Sequence, residues 1–273
     1  MTAVAAGTGH APGLGASGGL GAIRGLAKRS VLNTVRQPQM WVPSMVFPLF
    51  FAALNIAAMN RAAALPGFPG NSFLDFTVAT TVVQGILFGA SAGGTDMATD
   101  IQLGFFDRLV SSPVSRTTII AGRLAGAMVL GGIQATVFLS IFALFGANIR
   151  GGIPAVLVIV VVGALLGLAI GGLSVAIALK TGSAEVVQAT FPIFFASLFA
   201  SSAFFPRELM SGWFRGVAAA NPLTYMIEGI RNLVIFGFDA AQAFQAIVIV
   251  IGLCFVSLCA SLLALRSRLG SAS

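Results

Sequence analysis

The sequence predicts an all-α polytopic membrane protein with six transmembrane helices. Only 8% of its 273 residues are charged, against roughly a quarter in a soluble domain. Beyond Arg36 those few charges leave six windows of 20 or more residues empty: 37–60, 76–95, 124–149, 151–179, 186–206 and 240–265. About 20 helical residues cross a hydrocarbon core about 30 Å thick, so each window is long enough to span. The windows are unbroken apolar runs, whereas barrel strands alternate over short segments, which excludes a transmembrane barrel.

Residues 1–22 are rich in Gly and Ala, with His10 the only ionisable side chain, and read as a disordered tail. They lack the basic start and compact apolar run of a secretory signal. An interfacial segment over about 23–38 carries Arg24, Lys28, Arg29 and Arg36 before the first span. Pro66, Gly67, Pro69 and Gly70 form the turn to the second span, Arg150 marks a tight turn between the third and fourth, and 180–185 is a short loop before the fifth. Two connections are long, 96–123 and 207–239, and hold most of the remaining charge. The expected single domain is a six-span bundle over 23–268, with 269–273 as a tail. Cys254 and Cys259 lie five apart inside the last window, which suggests neither a metal pair nor a disulfide framework.

With six spans both termini share a side. The loops on that side hold Arg24, Lys28, Arg29, Arg36, Arg108, Arg116, Arg123, Lys180, Arg266 and Arg268; the others hold Arg61, Arg150, Arg207, Arg215 and Arg231. Ten against five places both termini in the cytoplasm. The net charge of +7 is then topology and contact with anionic headgroups of the lipid bilayer, with no nucleic-acid partner implied. Trp41, Trp213 and Tyr225 fall at span ends or in the long outer segment, as interfacial aromatics do.

The two lysines, Lys28 and Lys180, follow Ala27 and Leu179, so no G-K-[ST] phosphate loop exists and the chain is expected to be no ATPase. One histidine allows neither an H-E-x-x-H zinc site nor a Ser-His triad. The expectation is a non-catalytic chain with no metal and no cofactor of its own. No window holds an ionisable residue of the kind ion-coupled carriers keep near the midplane, so the energy for any transport comes from outside the chain.

In the inner segment, Thr99 or Asp100 can cap a short helix that Pro113 ends. Ile101, Phe105, Phe106 and Leu109 would share its apolar flank, with Asp100, Asp107 and Arg108 accessible. It reads either as a plain interfacial connector or as a cytosolic docking helix between spans two and three. In the outer segment the uncharged runs are too short to cross; Pro222 after Asn221 starts a helix, and Met226, Ile227, Ile230 and Val234 follow at helical spacing. This segment is expected to dip into the outer leaflet as two re-entrant half-helices, with Glu228 and Arg231, three apart, as a mutual or interfacial ion pair. Gly163, Gly167, Gly171 and Gly172 in the fourth window suit close helix packing. Phe194, Phe195, Phe199, Phe204 and Phe205 near the fifth face lipid for the most part, a minority being available to line an apolar path.

Asp100, Gly104, Asp107-Arg108, Pro113-Val-Ser-Arg116 and Gly122-Arg123 together resemble the inner loop of the daunorubicin-resistance type of type-2 ATP-binding-cassette export permeases. Arg36-Gln-Pro38, Pro43 and Pro48-Leu-Phe around the first span extend the resemblance, as do Glu185-Val-Val-Gln188, Ser202-Ala-Phe-Phe-Pro206, Trp213, Asn221-Pro222 and Arg231. Gln102 stands where many members of the wider superfamily carry Glu, which moves the acidic docking role to Asp100 and Asp107. The resemblance implies a half-transporter that pairs with a second copy, docks a separate cytosolic ATPase subunit, and exports amphipathic cargo such as drugs, antibiotics or lipids across a bacterial inner membrane. It further implies ATPase coupling through Asp100, Gly104, Asp107, Arg108, Pro113 and Arg116, and a capped exit at Pro206, Trp213, Asn221, Pro222, Glu228 and Arg231. The alternatives are a membrane enzyme or biogenesis scaffold without transport, and an ion-coupled carrier.

Overall fold

The computed structural model describes residues 38–64, 66, 68–70, 72–111 and 115–270, together with 21, 24, 25, 27–29, 31, 32 and 36. Pro113 and nearly all of the expected N-terminal tail lie outside the described residues. Those described form helices joined by turns, with no strand among them. In chain order the helices are α1 (Pro38–Met59), α2 (Phe73–Gln102), α3 (Phe105–Val110), α4 (Arg116–Leu144), α5 (Gly152–Thr181), α6 (Ala184–Ala189), α7 (Phe191–Phe199), α8 (Gly212–Ala220), α9 (Pro222–Ile235) and α10 (Ala240–Gly270). Short 3-10 turns cover Asn60–Ala64 and Arg207–Leu209. The tail expected from 269 begins inside α10, whose helix continues to Gly270.

Several helices start where a side chain meets the first free amides. Ser72 Oγ accepts from the Asp75 amide at 3.3 Å, and Asp75 adds a negative charge in the first turn of α2. Asp75 Oδ1 also accepts from the Asn148 amide at 2.9 Å, joining the start of α2 to the α4–α5 turn. Ser115 caps α4 through the Thr118 amide, and Ser183 caps α6 through that of Val186. At the other end of α5, Gly182 takes the left-handed conformation that releases the chain from a helix.

α5 is apolar on all its faces and sits at the centre, against α2, α4 and α10. The approach is close because glycines face one another: a Cβ on Gly167 would lie 2.6 Å from the Ala127 carbonyl oxygen and 3.0 Å from the Gly131 Cα. α2 is largely buried although it carries Thr77, Thr80, Thr81 and Gln84, whereas α1 and α10 leave much of their apolar surface outside the bundle.

Among the described residues five helices are long and apolar enough to cross a membrane: α1, α2, α4, α5 and α10. The window 186–206 does not form a sixth of that length. It holds α6 and α7, broken at Thr190, followed by turns through 200–205. Pro192 has no amide to give to the Gln188 carbonyl and its ring would collide with it. Thr190 Oγ1 meanwhile donates to the Val187 carbonyl at 2.6 Å.

The glycine contacts set a stability test. Gly167→Leu must displace backbone atoms, and is expected to cost about 3 kcal/mol or more. Gly93→Ala, whose Cβ would meet nothing within 4 Å, should be neutral or stabilising by roughly 0.5 kcal/mol. Thermal loss of monodisperse protein in detergent measures both.

Candidate functional site

Two polar clusters stand at opposite ends of α2, one around Phe76 and Thr80 and one around Asp100. Phe76 and Asp100 stand 24 positions apart in one continuous helix, so about 36 Å separates the clusters.

At the Asp100 end, α2 runs on to Gln102; it stops because Gly104, at φ 68°, turns the chain in the left-handed region, and α3 starts at the next residue. The expected helix from Thr99 or Asp100 is therefore split: Asp100 belongs to the last turn of α2, and α3 covers six residues. Gly104 followed by Phe105 was the readable stop signal. No described atom lies within 4 Å of where a Gly104 Cβ would sit, so the conformation, and not a close approach within this chain, calls for glycine.

Asp100 is almost enclosed. Its carboxylate is paired with Arg123 of α4 and, at 3.3 Å, with Arg29, whose guanidinium lies 3.9 Å above the Phe105 ring. Asp100 thus joins the N-terminal segment, α2 and α4 and is not offered to a groove. Arg123, which the reading of charges counted only for topology, is the residue that fixes it. Asp107 and Arg108 are exposed, while Phe106, at 1% exposure, is buried among Met97, Ile119, Leu124, Leu179 and Leu265 from α2, α4, α5 and α10. Arg24 and Arg36 are exposed. Arg116 opens α4, and its side chain lies outside the described residues.

At the other end, Asn221 caps α9 by accepting from the Leu223 amide at 2.9 Å, and Pro222 supplies the first turn. Asn221 Nδ2 also donates to the carbonyls of Ser197 and Ala200, at 2.7 and 3.1 Å, so one side chain ends α7 and begins α9. Trp213 on α8 is 79% exposed, and Pro206 is buried.

Arg231, at 3% exposure, is the centre of this end. Its Nη2 donates to the Ser202 and Ala203 carbonyls at 3.0 and 2.9 Å and to Thr80 Oγ1 at 3.4 Å, and its Nε to the Phe76 carbonyl at 3.4 Å. The guanidinium carbon sits 3.7 Å from the Phe76 ring centroid. Burial pulls its pKa well down, to about 9, against the opposing pull of Glu228 and Glu208, so it is still charged at neutral pH. The expected pairing of Glu228 with Arg231 gives way to another: Glu228 meets Arg207 at 3.1 Å. The turn at 200–205 leaves carbonyls without helical partners, and the buried guanidinium of Arg231 donates to these in place of pairing with the Glu228 carboxylate. Burial lifts the Glu228 carboxyl above its usual range, with Arg207 pulling the other way.

Residues 21–235 match the family model for ABC-2 type transporters, and the chain belongs to that family. It is 28% identical over 210 residues to a chain of Porphyra purpurea named as the transport permease ycf38, covering 76% of this chain and 72% of that one. It is likewise 28% identical over 213 residues to the daunorubicin resistance ABC transporter permease protein DrrB1 of Streptomyces coeruleorubidus, over 75% of this chain and 72% of the relative. A Mycobacterium tuberculosis chain named as the doxorubicin resistance ABC transporter permease DrrC is 25% identical over 251 residues, 89% of each chain. Family and apolar helices together make this a multi-pass membrane protein of the transport permease kind.

Arg231 supplies the test at this site. Arg231→Leu leaves buried carbonyls without donors and is expected to cost about 3 kcal/mol. Arg231→Lys keeps the charge but not the fork of donors, and should fall between. Glu228→Gln should change the pH dependence instead: with a raised folded pKa, the native state holds the extra proton. Stability therefore falls as pH rises from the ordinary carboxylate value through the folded one, and the Gln variant loses that slope. Thermal unfolding in detergent across pH separates the three variants.

Proposed function

We propose that this chain is the transmembrane half of an ATP-driven exporter, working as a pair of identical chains in the plasma membrane, each docked to a separate cytosolic ATPase subunit. The observation that carries the reading is α3. Its exposed Asp107 and Arg108 stand beside a Phe106 anchored in the junction of α2, α4, α5 and α10. A partner that pushes on α3 pushes on four long helices at once, whereas a plain connector needs no such anchor.

On this reading α6, α7 and the 200–206 segment together make the sixth crossing, both termini are cytoplasmic, and α8 and α9 form the re-entrant outer segment. α2 then carries displacement from the Asp100 cluster to the Arg231 cluster, with Arg29 bringing the N-terminal interfacial segment along. Pro113 and Arg116 pass it on to α4. The cargo is amphipathic. The linked rings of Phe47, Phe51, Phe88, Phe195, Phe199 and Phe204 offer it an apolar surface between α1, α2 and α7.

Two experiments test it. In cells that supply the ATPase subunit, the double exchange Asp107→Arg with Arg108→Asp should reduce ATP-dependent efflux at least tenfold. Because both positions are exposed, stability should shift by no more than about 0.5 kcal/mol. Normal efflux with unchanged ATPase affinity would return α3 to a connector. Gly104 is a poorer probe, since any L side chain at its φ is strained. In a background with Cys254 and Cys259 replaced, Asn60→Cys should react with an impermeant maleimide from outside and Ser111→Cys only after permeabilisation; the reverse pattern inverts the topology.

A further inference from the structure

A cavity of about 450 Å³ opens between the Arg207–Leu209 turn, α9 and the start of α10, a volume within the usual range for small-molecule sites. Its lining is unusual for this chain: Arg207, Glu208, Glu228 and Arg231 meet there, with the amides of Gln242 and Gln245. Asn232 Nδ2 donates to Gln242 Oε1 at 3.1 Å, tying the wall formed by α9 to that formed by α10.

The four charges are not equivalent. Arg231 is buried, and its Nε and Nη2 are held by the carbonyls of Phe76, Ser202 and Ala203. Arg207 keeps 28% of its side chain exposed, and its guanidinium lies 3.1 Å from the Glu228 carboxylate and 5.2 Å from the Tyr225 ring centroid. A carboxylate beside an aromatic face is a seat for a cation, and here the chain's own guanidinium fills it. Its hold is weak, since a partly exposed ion pair is worth about 0–1 kcal/mol and an exposed cation–π contact about 0.5–1. Charge decides what can replace it. With Arg207 swung out, two carboxylates face one guanidinium, and one added positive charge restores neutrality. An anion drawn to Arg207 would have to take it from Glu228 and share the cavity with both carboxylates. Phe236, 65% exposed at the cavity wall, offers an apolar surface for the rest of such a molecule.

We infer that this cavity binds an amphipathic molecule carrying a single ammonium group, which displaces Arg207 from Glu228 and Tyr225. As a station for exported cargo it rests on the exporter reading; as a binding site it does not.

The test is equilibrium binding to the purified full chain in nanodiscs, without an ATPase, against empty nanodiscs. The probe is radiolabelled dodecylbenzyldimethylammonium, with dodecylbenzene and dodecylbenzenesulfonate as uncharged and anionic competitors. Saturable binding of the ammonium is expected, with neither competitor displacing it at equal concentration. Glu228→Gln should weaken it about tenfold, and Arg207→Gln should strengthen it three- to tenfold. Opposite signs are the diagnostic result: both variants break the same ion pair, so a merely structural role moves them in the same direction. Equal shifts, unchanged affinity in both variants, or displacement by the sulfonate would overturn the site. Efflux is scored separately. Binding without ATP-driven efflux leaves the site and removes the exporter, whereas efflux without binding removes the site alone.

Discussion

Where the chain leaves its helices at 200–205, carbonyls are released into a part of the bundle with few donors, and Arg231 answers those of Ser202 and Ala203. An unmet buried carbonyl costs about 1–3 kcal/mol, and a hydrogen bond from a charged donor contributes about 1.5–3. One guanidinium therefore permits the break between α7 and α8, and the break in turn permits everything on that end of the molecule. Thr80, on α2, is drawn into the same set: its hydroxyl donates to the Ala203 carbonyl at 2.5 Å and accepts from Arg231. The irregular segment is thus held by side chains that belong to regular helices.

Elsewhere in the bundle small residues bring the long helices against α5. α5 meets α4 through Gly131, Gly163 and Gly167, and α10 through Gly172, whose Cβ would strike Ser257 Oγ. Small residues let backbones approach, and dispersion contacts then replace the hydrophobic force that is absent between helices in lipid. Packing of that kind leaves little slack, so the helices around α5 move together or not at all. It makes α2 a stiff connection between the Asp100 and Arg231 clusters.

How much of this was legible in the sequence follows from which forces leave a local trace. Windows free of charge became long helices wherever nothing interrupted them, because length and apolarity are properties of a run. At 186–206 the same criterion missed Pro192, which breaks a helix without adding charge. Asn221-Pro222 announced the start of α9, since a cap and its proline are neighbours in sequence. Partners distant in sequence left no such trace. The spacing of Glu228 and Arg231 suggested each other, but the partners that matter, Arg207 for one and the carbonyls of 202 and 203 for the other, come from more than 20 residues earlier in the chain. Asp100 was legible as acidic and conspicuous; that Arg123 and Arg29 close over it depends on how α4 and the N-terminal segment pack.

The difference in strength between the two arginines bears on how such a molecule could open. Arg207 is held by contacts worth about 1 kcal/mol each at most, so a ligand of ordinary affinity can displace it. Arg231 is held by several buried hydrogen bonds and a ring at 3.7 Å, and no ligand in the neighbouring cavity offers its donors an equivalent set of carbonyls. Moving a two-state equilibrium from 1:99 to 99:1 takes about 5.5 kcal/mol of differential binding. On the exporter reading, ligand binding beside Glu228 therefore loads the site but does not part α9 from α2. That step needs work delivered through the helices, and α2, which carries Asp100 at one end and accepts Arg231 at the other, is the element placed to deliver it.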